Sequence, residues 1–300
     1  MLIATKHNVY RLASDTFDQV YENGGIRAIS TAGLTAAIVS GDGLTILDDA
    51  GERTFELTDP ALVEAVDILA NGSVLIGTEG PHIDRLTEDD VSRLTSFDEL
   101  DARDGFYTPW GGPAAVRSFA HTPDGWVYAD IHVGSIMRSA DGGDSWEPVT
   151  PDLHDDVHQV ATHAASPDTI YANTADAVYV SENRGDSWEH RPEGLPYSYG
   201  RAIAVHPGDP DCLLASVSRG PHNNVDGQLY RSDDRGRNWT HVTTGYLESH
   251  TENIDTFQVA FSQDGRAWSA IDSDLYVSED RGKSWQIYWT TEESIALIAT

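Results

Sequence analysis

The chain has 300 residues, with 49 Asp and Glu against 19 Lys and Arg, a formal net charge of −30. No basic stripe that could neutralise phosphates is present, which argues against nucleic acid as a direct partner. Cys212 is the single cysteine, so intrachain disulfides and a cysteine-built zinc site are excluded. No apolar run approaches the ~20 residues of a membrane span, and the N-terminus is too short and strand-like for a signal segment, so a soluble, cytoplasmic, monomeric product is expected. Since 39% of residues are hydrophobic, eight of them Trp, the charge does not mark disorder. It reads as a halophilic, haloarchaeal style of surface, suited to molar salt where the Debye length falls to about 3 Å.

In chain order, residues 2–5 and 8–12 read as a second and a third strand with no inner strand before them. Apolar strand rhythms follow at 27–30, 44–47 and 54–57, then at 66–69, 74–77 and 91–94. From residue 115 the chain repeats itself. Ser139, Asp141, Gly143 and Trp146 share their spacing with Ser181, Asn183, Gly185 and Trp188, with Ser232, Asp234, Gly236 and Trp239, and with Ser278, Asp280, Gly282 and Trp285. The tryptophans lie 42, 51 and 46 residues apart, the length of one four-stranded blade. Each box reads as a structural turn. Asp and Ser oxygens accept turn N–H groups, Gly supplies positive φ, and Trp packs the hairpin. At the far end, residues 295–299 form an inner strand with nothing after it.

The S-x-[DN]-x-G-x-[SN]-W boxes resemble those of the WD40/YVTN/BNR-like (Asp-box) repeat proteins, most specifically over 115–290. The expected fold is all-β: one seven-bladed β-propeller domain over 1–300, with four-stranded blades. These are expected at 1–22 plus 294–300, 26–58, 63–97, 115–152, 157–192, 200–243 and 255–290. Strands from both termini share the first blade, which removes exposed edges. Relatives by fold include sialidases, xyloglucan-cleaving hydrolases, sortilin-type receptors and photosystem II assembly factors, so the resemblance fixes architecture more than function. A sialidase would need an Arg-Ile-Pro signature and six blades. Residues 26–28 lack the proline, and seven blades are counted. Arg27, Arg117 and Arg201 open inner strands, where a carboxylate clamp would place arginines.

The boxes, with His121, His163 and His206 ahead of turn residues, are expected on one face. The opposite loops do not repeat, and loops on a rigid scaffold are where sites usually sit. His7, His82, His132 and His222 occupy one loop type in four blades, with His158 nearby. Trp110, Tyr197 and Tyr199 could form apolar walls and Arg201 and Arg219 anion anchors. A divalent metal at His82, His132 and His222 is the cofactor these residue types could hold, with Glu79 or Asp130 beside them. The resemblance and the loops together imply a non-enzymatic binding or assembly propeller engaging a protein or small-molecule ligand. The alternative is a glycoside hydrolase (sialidase-like) with a glycan ligand, or a metal-assisted lyase or hydrolase, on the same face.

Overall fold

The computed structural model describes residues 1–13 and 15–300. The fold is all-β, a seven-bladed β-propeller of four-stranded antiparallel blades. The chain divides into two compact units, Met1–Pro148 with Ala296–Thr300, and Val149–Ile295.

The first unit holds four blades. Its first blade orders Leu297–Ala299, Leu2–Ala4, Asn8–Ala13 and Thr16–Glu22. Leu2 pairs with Ala299 on one side and Arg11 on the other. The two chain ends therefore share a blade, and Leu2, Ile3 and Ala4 are fully buried between their neighbours. The second blade comprises Ala28–Ala32, Thr35–Ser40, Gly43–Asp48 and Gly51–Phe55; the third, Val63–Ile68, Val74–Thr78, Ile83–Thr87 and Asp90–Arg93. Both lack a box, and their outer strands are joined through residues 49–50 and 88–89 alone. The fourth blade comprises Val116–His121, Val127–Ile131, Ser135–Ser139 and the edge strand Glu147–Pro148. Pro148 is tolerated there because an edge needs no second ladder donor.

The second unit holds three blades. The fifth is Val157–Thr162, Ile170–Thr174, Ala177–Ser181 and Glu189–His190; the sixth, Tyr199–His206, Asp209–Ser218, Gln228–Ser232 and Thr240–His241; the seventh, Val259–Phe261, Ala267–Ile271, Asp274–Ser278 and Gln286–Thr290. Second strands such as Val127–Ile131, Ile170–Thr174 and Ala267–Ile271 are buried at every residue, so they show no inside–outside alternation even though they carry Asp130, Asn173 and Ser269. Outer strands such as Glu189–His190 face solvent.

Each box is a closed turn. The Ser139 hydroxyl accepts the Gly143 N–H at 2.7 Å and donates to Asp141, whose carboxylate takes the Ser145 N–H at 2.8 Å and its hydroxyl at 2.6 Å. The boxes at Asp234 and Asp280 repeat these bonds. Burial opposes ionisation of Asp141, but the Ser145 and Ser139 hydrogen bonds outweigh it and hold its carboxyl at about 2. The third box's tryptophan also ties two blades together. Trp239 donates its indole N–H to the Arg191 carbonyl at 2.9 Å and its backbone N–H to Glu193 at 3.0 Å. Gly194, at φ +95°, passes so close that a Cβ would sit 2.4 Å from the Trp239 carbonyl oxygen. Only glycine fits that crossing.

His163 and His206 serve their turns, accepting the Ala165 and Gly208 N–H groups at 3.1 Å through Nδ1. His121 is different. Its Nδ1 meets Asp67 on the neighbouring blade at 2.7 Å.

Candidate functional site

In the first unit, the segment between the third and fourth blades, residues 94–115, is an insertion with its own short elements. A one-turn helix, Thr95–Asp98, and a 3-10 turn, Asp101–Gly105, lie where the sequence offers no periodicity. Phe97 anchors it, buried edge-on against Trp146 at 5.5 Å. Arg103 lies over the Phe97 ring at 5.5 Å and donates to the Pro81 carbonyl. Tyr107 donates its backbone N–H to Val133 at 3.2 Å, and the Trp110 and His132 rings stand 5.0 Å apart. The insertion thus spans the second-to-third-strand loops of both blades, and it brings His82, His132 and Trp110 to one end of them. His82 is held by Asp98, 2.7 Å from its Nδ1, and Asp98 also pairs with Arg93 and Arg103 at 3.6 Å. Tyr107 and Trp110 remain 53% and 67% exposed. His7 belongs to the turn between Leu2–Ala4 and Asn8–Ala13 in the first blade, its backbone bonded to Thr5 and Asn23.

Asp130, on the fully buried strand Val127–Ile131, accepts a hydrogen bond from Ser118, while its other carboxylate oxygen has no hydrogen-bond partner among the described residues. Burial pushes its pKa up to about 7 against the opposing pull of Ser118 and Arg117. The folded protein therefore binds a proton that the unfolded chain, near pH 4, releases. Stability is fully present below pH 4 and falls as pH rises towards 7, by about 1.4 kcal/mol for each unit separating the two pKa values. Asp130→Asn should remove this slope and raise the Tm at pH 8 relative to wild type. Parallel Tm-versus-pH curves for the two proteins would contradict the assignment.

In the second unit, His158 is fully buried, its Nδ1 2.5 Å from the Gly200 carbonyl and its Nε2 3.2 Å from Asp156. Its ring packs on Tyr199 at 4.9 Å, and Arg201 lies over Tyr199 at 5.6 Å while pairing with Asp255 at 3.0 Å. Tyr197 donates to Asp226 at 2.6 Å, and Arg219 reaches both the Tyr197 hydroxyl and Asp226 at 3.1 Å. His222 is exposed on the following loop, where Asn223 and Asn224 adopt positive φ. Arg201 and Arg219 thus carry their own carboxylates, and Arg27 likewise spends its guanidinium on the Val63 carbonyl and Glu64. An anion would compete with each of these pairs. Among the described residues, no cluster of three or more His, Cys, Asp or Glu side chains of ligating geometry includes His82 or His222.

Cavities open among the described residues of the first unit. One of about 100 Å³ is lined by Asp59, Glu79, His82, Asp84 and Arg93. A larger one of about 410 Å³ lies among the turns on the box side, between Leu69, Asn71, His121, Asp124, Trp126 and Gly142. Sequence reading passed over the second, because each contributing turn looks like part of the repeat.

Blades, boxes and termini define the class: a seven-bladed propeller carrying BNR-Asp box repeats. The BNR-Asp box repeat family model matches residues 275–287, and that of sortilin (neurotensin receptor 3) matches 134–251. A xyloglucanase of Paenibacillus sp is 28% identical over 143 residues, covering 39% of this chain and 13% of that enzyme. Among solved structures, the GH74 xyloglucanase from Xanthomonas campestris is similar over 95% of this chain and 52% of its own, at 17% identity and TM-score 0.71. YCF48 from Cyanidioschyzon merolae is similar over 89% and 86%, at 17% identity and TM-score 0.63. A structure of YCF48 bound to D1 peptide is similar over 96% and 84%, at 18% identity and TM-score 0.58. The chain spans only a small part of the curated xyloglucanase and about half of the solved one. At these identities the solved structures establish the fold alone. No helix among the described residues is long and apolar enough to cross a membrane.

Proposed function

We propose that this propeller is a non-enzymatic binding or assembly module that engages a protein segment through the insertion at 94–115. The observation that carries this reading is the exposure of Tyr107 and Trp110 on a loop whose backbone is anchored at both ends. A large aromatic side chain held in water by a fixed loop suits a partner's surface, and such residues are enriched among binding hot spots. The protein-binding reading is also in keeping with the propeller YCF48, which has been solved holding a peptide. Against the hydrolase reading stands the engagement of the loop arginines and histidines with their own neighbours, Asp98, Asp226, Asp255 and Gly200.

Peptides selected by display on the wild-type protein should include clones that lose about tenfold or more in affinity for Trp110→Ala, the loss expected at a hot spot. The unfolding free energy of Trp110→Ala should stay within about 1 kcal/mol of wild type, since little apolar area is lost from the core. If no selected peptide depends on Trp110 or Tyr107, the proposal fails. The alternative enzymatic reading predicts release of reducing ends from xyloglucan, and the binding reading predicts none.

A further inference from the structure

We infer that the segment recognised by this loop is cationic, with an arginine or lysine head group seated on Trp110 and Tyr107. The inference rests on the binding reading above and names its partner class. Residues 94–115 carry four carboxylates, Asp98, Glu99, Asp101 and Asp104, against one guanidinium, Arg103. Glu99, Asp101 and Asp104 are exposed on the same insertion as the exposed aromatics. The two arginines of this neighbourhood do not offset them outward. Arg103 is folded inward over Phe97 towards Pro81, and Arg93 is paired with Asp84 and Asp98. Among the described residues the Trp110 ring meets the His132 imidazole and no guanidinium lies over it.

Elsewhere in the same unit an aromatic ring already has its cation: Arg138 lies 5.7 Å from the Trp126 ring centre, and Arg53 5.8 Å from that of Phe55. Trp110 and Tyr107 present the same kind of electron-rich face to solvent, on a segment that carries four carboxylates. Such a face attracts an ammonium or guanidinium through its quadrupole, most strongly for Trp. The net charge of −30 steers cationic chains towards the protein and repels acidic ones. Steering by itself carries no address. The aromatic pair supplies one, because its contribution survives the screening that removes long-range attraction.

The test uses a labelled short peptide alternating glycine and arginine, its counterpart with citrulline in place of arginine, and its counterpart with glutamate. Fluorescence anisotropy against the full chain, in molar salt, should show binding of the arginine peptide alone. Trp110→Ala should weaken it by about tenfold, as loss of a cation–π seat implies. Asp101→Asn with Asp104→Asn should weaken it further, whereas Asp18→Asn with Glu52→Gln, exposed acids on outer strands, should leave it unchanged. Equal weakening by the remote pair would mean that overall charge alone attracts the peptide and would overturn the inference. Trp110-dependent binding that is equal for arginine and citrulline peptides would also overturn it, while leaving the protein-binding function intact. Loss of every Trp110-dependent peptide from the display selection would remove both.

Discussion

Dilution from molar salt to about 0.1 M is expected to abolish the cooperative fold, as the Debye length lengthens from about 3 Å to about 10 Å. With 19 basic residues for 49 acidic ones, ion pairs such as Arg27–Glu64, Arg85–Asp144 and Arg191–Glu189 cannot neutralise the surface. The excess carboxylates repel one another whenever counterions are scarce. A domain's whole stability is about 5–15 kcal/mol, so a repulsion spread over thirty unbalanced charges competes with all of it. Circular dichroism melts across a salt series read this directly. A Tm that does not move between molar and tenth-molar salt would show that the acidity is not a solvent adaptation.

Trp239→Ala should cost about 3–5 kcal/mol, the range for truncating a buried large aromatic. The ring packs with Tyr171, Val180 and Leu213, while its indole N–H satisfies the Arg191 carbonyl of the preceding blade. Truncation opens a cavity and orphans that carbonyl, and both effects have the same sign. Trp239→Phe should recover most of the packing but not the hydrogen bond. Denaturant titration distinguishes the outcomes: a loss below about 1 kcal/mol for Trp239→Ala would place the box tryptophans outside the core, against the range for buried residues.

The fold was legible where residue types are fixed by a local mechanism. Ser139, Asp141, Gly143 and Trp146 announce a blade because that turn needs those oxygens, that φ and that ring. The blade shared by the termini was legible because residues 2–5 and 8–12 read as second and third strands with no inner strand before them, and 295–299 as an inner strand with nothing after it. The insertion was not legible. Thr95–Asp98 is a single turn behind Leu94, which makes no side-chain cap, and it persists through the tertiary contact of Phe97 with Trp146. Periodicity needs 11 or so residues to speak.

The site was legible in part. Unrepeated loops pointed to His82, His132 and Trp110; the insertion touches His82 through Asp98 and His132 through Trp110. Their partners were hidden, since Asp98 for His82 and Asp255 for Arg201 lie far along the chain, and Asp226 meets Arg219 only through the fold of their own loop. The cavity near His121 and Trp126 escaped for the opposite reason. Its walls are turns so regular that they read as scaffold.

Hydrogen–deuterium exchange of the full chain with a selected Trp110-dependent peptide tests the binding site most directly. Protection is expected over residues 94–115 and the adjoining loops at 79–83 and 131–135, with the box turns unchanged. Protection confined to the turns at 69–73 and 121–127, with 94–115 unaffected, would contradict it and move the site to the opposite side of these blades.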